Sequence, residues 1–254
     1  MKKSSILEVR SFILGVLYLI FGVYCLSTIF SPVSLLTKVF YAALFIFVFA
    51  VALYTEYLRM LYNKAIKSIA NEAKPQKGQE QYEYLLKRDP FDSYKQSKIL
   101  FDTLYYADML EPKQLLKSVE DNKKYYKEHE ENLIVLYYNQ YYAHFLLNDL
   151  EAMKKDYTPL VRLEKKERDR QDLSPLYGKK FIDALYLFMT KEYDRSYEFF
   201  QAMNPETMNA REKLHYYYHF YRLCMAMHKD EKAENIKKKM LRIKGTSPIL
   251  DKIQ

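Results

Sequence analysis

The chain has 254 residues, with 40 Lys and Arg against 32 Asp and Glu, a formal charge of +8. Two cysteines and five glycines exclude a disulfide-stapled scaffold and leave little material for a glycine-rich phosphate loop. The positive excess suits anionic lipid, an acidic partner or nucleic acid, and its sign alone does not choose among them.

No side chain is charged from Ser11 to Phe30, and the same holds from Val39 to Thr55. About twenty apolar helical residues span a hydrocarbon core of about 30 Å. Two transmembrane helices are therefore expected, at about 11–30 and 39–58, with Glu56 reaching the headgroup layer. The mean hydropathy of −0.37 averages this segment with a charged remainder. A cleaved signal peptide would need a small-x-small site, and Ile29-Phe30-Ser31-Pro32 does not supply one. Cys25 follows Val23-Tyr24 rather than the small residues of a lipidation signal, so it reads as a packed membrane-helix residue. Ser11, Gly15, Gly22 and Cys25 fall near one face, where small side chains let helices approach.

Lys2, Lys3 and Arg10 precede the first span, and Arg59, Lys64, Lys67, Lys74 and Lys77 follow the second. Lys38 alone lies between. This bias predicts a two-pass protein of the cell membrane, with both termini cytoplasmic and a Ser31–Lys38 loop outside. Cys25 and Cys224 then lie apart, which agrees with a reducing cytoplasm.

Residues 1–58 form the anchor in this reading, and 59–78 a juxtamembrane helix and linker. Leu58, Leu61, Tyr62, Ala65, Ile66 and Ile69 recur at three- and four-residue steps, which predicts that the second span continues as an amphipathic helix toward Lys74-Pro75. Arg59, Lys64 and Lys67 are candidates for anionic-lipid contact, each contributing about 1 kcal/mol near such a surface. A plain positive-inside signal is the simpler explanation for them. Pro75 to Gly78 reads as a break.

Residues 79–254 carry the pattern of a cytoplasmic all-α domain. Asp89-Pro90, Glu111-Pro112, Ser174-Pro175 and Asn204-Pro205 look like helix starts. Pro159 falls inside a helical pattern and should kink or divide it. No stretch alternates convincingly, so strands are not expected. Apolar helical runs come in pairs around tight polar turns: Leu133–Leu147 and Leu150–Leu163 around Asn148-Asp149, and Leu214–Met227 and Ala233–Ile243 around His228-Lys229-Asp230. An earlier pair runs from Asp92 through Asp108 to Tyr126. The turns recur about every 36–45 residues, a period typical of helical-hairpin repeats.

The segment Thr190-Lys191-Glu192-Tyr193-Asp194-Arg195-Ser196-Tyr197-Glu198-Phe199-Phe200 resembles the centre of a tetratricopeptide repeat. Ala184, Tyr193, Ser196 and Phe200 stand at that family's small, turn, small and aromatic places. Lys191 replaces the usual turn glycine, and Pro205 arrives early. Ala143 with Ala152 and Ala226 with Ala233 mark weaker copies. The resemblance implies an α-solenoid that binds peptides or proteins along a concave face, without catalysis.

His215 and His219 stand four apart, the spacing of two ligands on one helical face, with Glu212 close by. Tyr216-Tyr217-Tyr218 lies between them, without a zinc-protease glutamate, and a satisfied pair on a packed helix is the plainer reading. No metal or other cofactor is expected. Cys224 reads as a core thiol. The basic runs Arg162–Arg170 and Lys232–Lys244 accompany no recognised nucleic-acid fold. They read as solvated faces, and no nucleic-acid partner is expected.

Tyrosine is abundant, with 26 residues and no Trp. A codon bias explains that, but Tyr also suits helix interfaces and wet grooves. Tyr137, Tyr138, Tyr141 and Tyr142 on one helix and Tyr217, Tyr218 and Tyr221 on another are the candidate partner-binding residues, some of them necessarily core. The expected function is a bacterial membrane-tethered scaffold, non-enzymatic, that recruits a cytoplasmic protein or peptide. A peptide-responsive regulator or a self-protection factor against a secreted peptide is the alternative. An enzyme on a helical scaffold is the third reading.

Overall fold

The structure is a computed structural model. It describes residues 15–16, 18–28, 30–31, 34–129, 132–167 and 173–253. The described residues are helical throughout, with no strands, and the chain divides into two compact units, Met1–Met60 and Leu61–Gln254.

In the first unit, helix α1 spans Tyr18–Thr28. Helix α2 begins at Leu35 and runs without interruption to Ala70, across the unit boundary. The expected outer loop is therefore shorter than Ser31–Lys38, because Leu35–Lys38 already belong to α2. Ser34 Oγ accepts the Thr37 N–H at 3.2 Å and caps that helix start. Among the described residues α2 is the one helix long and apolar enough to cross a bilayer. Of the first expected span, residues 11–14, 17 and 29 lie outside the described residues, and α1 is its continuous described part.

The second unit opens with the end of α2 and continues through α3 (Pro75–Leu86), α4 (Lys95–Asp108), α5 (Pro112–Asp121), α6 (Lys123–Glu128), α7 (Leu133–Leu146), α8 (Leu150–Glu167), α9 (Lys179–Met189), α10 (Tyr193–Gln201), α11 (Ala210–Ala226) and α12 (Asp230–Leu241). The expected break at Pro75–Gly78 is instead the first turn of α3. Pro75 occupies the first helical turn, where its missing N–H costs nothing. Gly78 packs against α2, where an added Cβ would stand 3.2 Å from the Ala65 carbonyl. Asp89-Pro90 starts no helix, because α4 begins only at Lys95 and Asp89 Oδ2 accepts the Tyr94 N–H at 2.7 Å. Glu111-Pro112 does start α5, while Ser174 and Asn204 cap short 3-10 turns at Pro175–Tyr177 and Pro205–Thr207. Pro159 sits inside α8 without dividing it.

Helices α4 and α5, α7 and α8, α9 and α10, and α11 and α12 pack as successive hairpins. All four close in the same way. Leu110, Asn148, Lys191 and His228 adopt φ of 55°, 57°, 63° and 55°, about forty residues apart, which is the spacing of a helical-hairpin repeat. The next residue's N–H then returns to a carbonyl five positions back: Glu111 to Tyr106 at 3.0 Å, Asp149 to His144 at 3.0 Å, Glu192 to Leu187 at 2.9 Å and Lys229 to Cys224 at 2.9 Å. Each satisfies a carbonyl that the helix end would orphan. No glycine among the described residues has positive φ, so side-chain-bearing residues take a left-handed geometry costing about 1–2 kcal/mol apiece.

Small residues let the paired helices approach. Ser196, fully buried, donates its hydroxyl to the Ala184 carbonyl at 2.7 Å, and Phe200 fills the adjacent space. Ala143 and Ala233 are equally buried in their hairpins. After α12 the chain turns back. Thr246 N–H donates to the Ala73 carbonyl at 3.0 Å, and Ile249, Leu250 and Ile253 enter the core. The last segment is thereby fastened to the first hairpin of this unit.

Candidate functional site

A helical array presents a binding groove only if its inner helix faces stay open. Here they are closed. On α11, Arg211, Glu212 and the whole run from Leu214 to Phe220 are buried. Arg211, His215, Tyr216 and His219 find partners on other hairpins. Asp108 at the end of α4 receives His215 Nε2 at 2.7 Å and lies 2.6 Å from Arg211 Nε, a charge contact rather than an aligned hydrogen bond. Tyr142 on α7 places its hydroxyl 3.0 Å from His215 Nδ1 and 2.9 Å from His219 Nε2. Ser247 donates to the Asp108 carbonyl at 3.0 Å.

The carboxylate fixes every proton in this chain of bonds. Asp108 accepts only, so His215 carries its proton on Nε2, and its Nδ1 must accept from Tyr142. The Tyr142 oxygen then accepts from a proton on His219 Nε2. His219 Nδ1 is left as a buried acceptor with no donor. Burial holds both imidazoles below their ordinary value, His219 well below. The sequence pairs His215 with His219 by spacing. Their true partners, Asp108 and Tyr142, come from other hairpins. Among the described residues no group of three His, Cys, Asp or Glu side chains is placed to hold a metal ion.

Of the tyrosines singled out by sequence, Tyr138, Tyr141 and Tyr142 lie in the core. Tyr141 donates to the Ile182 carbonyl at 2.6 Å, and Tyr138 packs between Tyr142 and Tyr177. Tyr217 and Tyr218 are each 8% exposed, and only Tyr137 and Tyr221 are half-buried. Most of these rings therefore knit hairpins together instead of facing a groove. Burial raises the Tyr138, Tyr141 and Tyr142 hydroxyls far above the usual phenol range, so all three stay protonated. Cys224 is fully buried, and burial pushes its thiol up to about 11. Arg59 pairs with Glu56 on its own helix. Lys67 is exposed, and Lys64 borders a shallow depression with Glu80 and Tyr84.

An accessible concavity lies elsewhere. A groove of about 550 Å³ runs beside α9 and α10, with Phe199, Ala202, Met203 and Met208 as apolar lining and Glu164, Lys179 and Lys180 among its polar residues. It shares Lys179 and Phe199 with a second depression of about 310 Å³ bordered by Tyr157, Asp183, Tyr186 and Arg195. Its polar groups are held in place. Asp183 takes the Tyr157 hydroxyl at 2.8 Å on one oxygen and Lys179 on the other. Glu164 accepts the Lys179 N–H at 3.2 Å, and Lys180 donates to the Ala202 carbonyl at 2.9 Å. Among the described residues neither depression is lined by a histidine or cysteine. The arrangement suits holding an apolar side chain beside polar backbone. The i,i+4 pair Lys179–Asp183 was the one local sequence sign of it.

Compared with known proteins, the chain matches no family model, no curated protein and no solved structure. The class defined by its fold is an all-α array of helical hairpins, preceded by a helix able to cross a bilayer.

Proposed function

We propose that the chain is a membrane-tethered, non-enzymatic scaffold that binds a protein or peptide at the α9–α10 groove. The observation that carries this reading is the continuity of α2, which joins the apolar segment and the first helix of the array in one element. A partner bound to the array is then confined to the bilayer surface, which raises its effective concentration toward other membrane-bound components. The repeated left-handed turns and the Ala184–Ser196 contact support kinship with tetratricopeptide-type hairpins. With the α11 face filled, the α9–α10 groove is the surface left to this reading.

The occupant that suits the groove is an extended peptide segment with a large apolar side chain. Met203 and Met208 are adaptable, so the pocket tolerates variation in that side chain. Lys179 is paired with Asp183 and Arg195 with Glu192, and Lys180, held on the Ala202 carbonyl, faces Glu164 across the same lining, so no strong net charge is asked of the ligand. We take the anchor to be two-pass, with both termini cytoplasmic and the partner a cytoplasmic protein. Reporter fusions at Gln254 and Ser34 test the topology, with opposite readings expected. Photo-crosslinking in cells from position 199 tests the groove, with one dominant adduct expected that is absent when the crosslinker stands at exposed Lys238. Recovery of the intact chain in the aqueous fraction without detergent sinks the tether. Equal adducts from both positions sink the groove.

A further inference from the structure

A separate concavity of about 500 Å³ opens where the last segment of the chain meets the turn after α2. Four cations from three chain segments border it: Lys74 from that turn, Lys213 near the start of α11, and Arg242 and Lys244 beyond α12. Glu72 is the single carboxylate in the lining, and it already serves Lys77 at 2.9 Å and Lys74 at 3.6 Å. Lys213 has only Glu206, 3.7 Å away on a side chain that is 80% exposed. Among the described residues Arg242 and Lys244 have no carboxylate partner.

Four cations with one carboxylate in the lining leave the hollow with a positive excess, and such an excess is not neutral to the fold, because like charges repel and the cost falls on the folded state. The floor beneath them is rigid. Gly245 lies so close to the Ala73 turn that an added Cβ would stand 2.7 Å from the Ala73 carbonyl oxygen. The Thr246 N–H bond to the same oxygen, 3.0 Å, pins the two cation-bearing segments together. Lys74 and Lys244 each lie one residue from this contact, so their backbones are fixed before any ligand arrives. A single carboxylate would use one or two of the four cations. A phosphate offers three oxygens, up to two charges and a pair of oxygens that the planar Arg242 guanidinium can take bidentately.

We propose that this pocket binds a multiply charged phosphate group, a phosphomonoester or a diphosphate, through Lys74, Lys213, Arg242 and Lys244. The group belongs either to a soluble phosphorylated molecule or to a lipid headgroup, and the chemistry of capture is the same. The site is distinct from the α9–α10 groove, so it stands or falls independently of the scaffold reading.

The test is calorimetric titration of the full chain in zwitterionic detergent with inorganic pyrophosphate at fixed ionic strength. Saturable one-to-one binding is expected. The double substitution Arg242→Gln, Lys244→Gln should weaken it at least ten-fold. Lys232→Gln with Lys238→Gln, which removes the same charge from the exposed side of α12, should change it less than two-fold. The titration is repeated in nanodiscs of phosphatidylcholine mixed with phosphatidic acid, a phosphomonoester, or with the same share of phosphatidylglycerol, a phosphodiester. Pyrophosphate binding lost with phosphatidic acid but kept with phosphatidylglycerol assigns the pocket to a lipid headgroup, whereas equal loss in both marks repulsion by the charged surface and assigns it to a soluble ligand. Unchanged binding in both assigns it to a soluble ligand, and either result supports phosphate capture. No saturable binding by the native chain in any of these media overturns the proposal, as does an equal loss in both double variants, which would mark diffuse attraction to a basic surface.

Discussion

Asp108 and His215 meet at 2.7 Å across 107 residues of sequence, and both are 2% exposed at the side chain. This contact joins the end of the first α4–α5 hairpin to the last one, with Arg211 sharing the same carboxylate oxygen. Removing the charge by Asp108→Asn strands the Arg211 guanidinium in a buried position. Breaking one side of such a buried pair costs about 3–5 kcal/mol. Chemical denaturation of the full chain in detergent should show that loss. A change below about 1 kcal/mol would mean that Arg211 finds water or another partner.

Acid should weaken the domain through the same network. Burial holds His215 below its ordinary 6.5 and His219 well below it. In the unfolded chain both titrate near 6.5. Above that pH neither state carries the extra protons, and the full stability is present. As pH falls through 6.5 the unfolded chain binds protons that the folded one refuses, so stability drops toward the folded-state values by up to about 1.4 kcal/mol per pH unit for each histidine. Denaturation midpoints between pH 7.5 and 5.5 should fall accordingly. His219→Gln keeps an N–H for Tyr142 and should remove about half of the slope. An identical slope in that variant would place the titration elsewhere.

The closure of the chain onto its first hairpin depends on one missing side chain. At Gly245 a Cβ would meet the Ala73 carbonyl at 2.7 Å and the Ala73 Cβ at 2.8 Å, both parts of a fixed turn. Gly245→Ala should therefore cost about 1–3 kcal/mol by overpacking. It should also release the tail that carries Ile249 and Ile253, read as faster proteolysis after residue 245. Wild-type cleavage rates would show that the tail tolerates the shift.

The sequence carried the hairpins because their signals are local. Apolar runs stop at Asn148, Lys191 and His228, and those residues are the left-handed turns of the structure. It misplaced the break at Pro75 because proline ends one helix and begins another with equal ease, and only the packing of Gly78 on α2 distinguishes the two. The central network was invisible for a different reason. Spacing on one helix pairs His215 with His219, but nothing local links either of them to Asp108 or Tyr142. The tyrosine faces were legible as interfaces. Whether those interfaces face inward depends on how tightly the hairpins curl, and here Tyr142 reaches α11.

Lys191 stands at φ 63° in the turn between α9 and α10, where an exposed side chain gains nothing from the geometry. Glycine adopts that conformation without steric cost. Lys191→Gly should stabilise the domain by up to about 1 kcal/mol, the relief of strain exceeding the entropy lost from the more flexible unfolded chain. Leu110 has a similar φ of 55° but packs against the core, so Leu110→Gly should destabilise. Opposite signs in the two denaturation curves are the expected result. A loss in both would show that the Lys191 side chain holds the turn by contacts of its own.

Binding and folding separate cleanly at two positions. Tyr141 is fully buried and its hydroxyl serves Ile182, so Tyr141→Ala removes a large core ring and a hydrogen bond at once, a loss of about 3–5 kcal/mol. Any fall in partner recovery from that variant should track the unfolded fraction. Met203 lines the groove and is half-buried, so a charge there can reach water. Met203 also packs on the edge of the core, so Met203→Glu should cost about 1 kcal/mol, the ordinary size for a point substitution, and leave the chain folded. It should cut crosslinked partner by ten-fold or more, because a carboxylate in an apolar side-chain pocket must be desolvated when the peptide enters. Full partner recovery by a folded Met203→Glu chain would remove the groove as the docking site and leave the tether and the phosphate pocket to be explained without it.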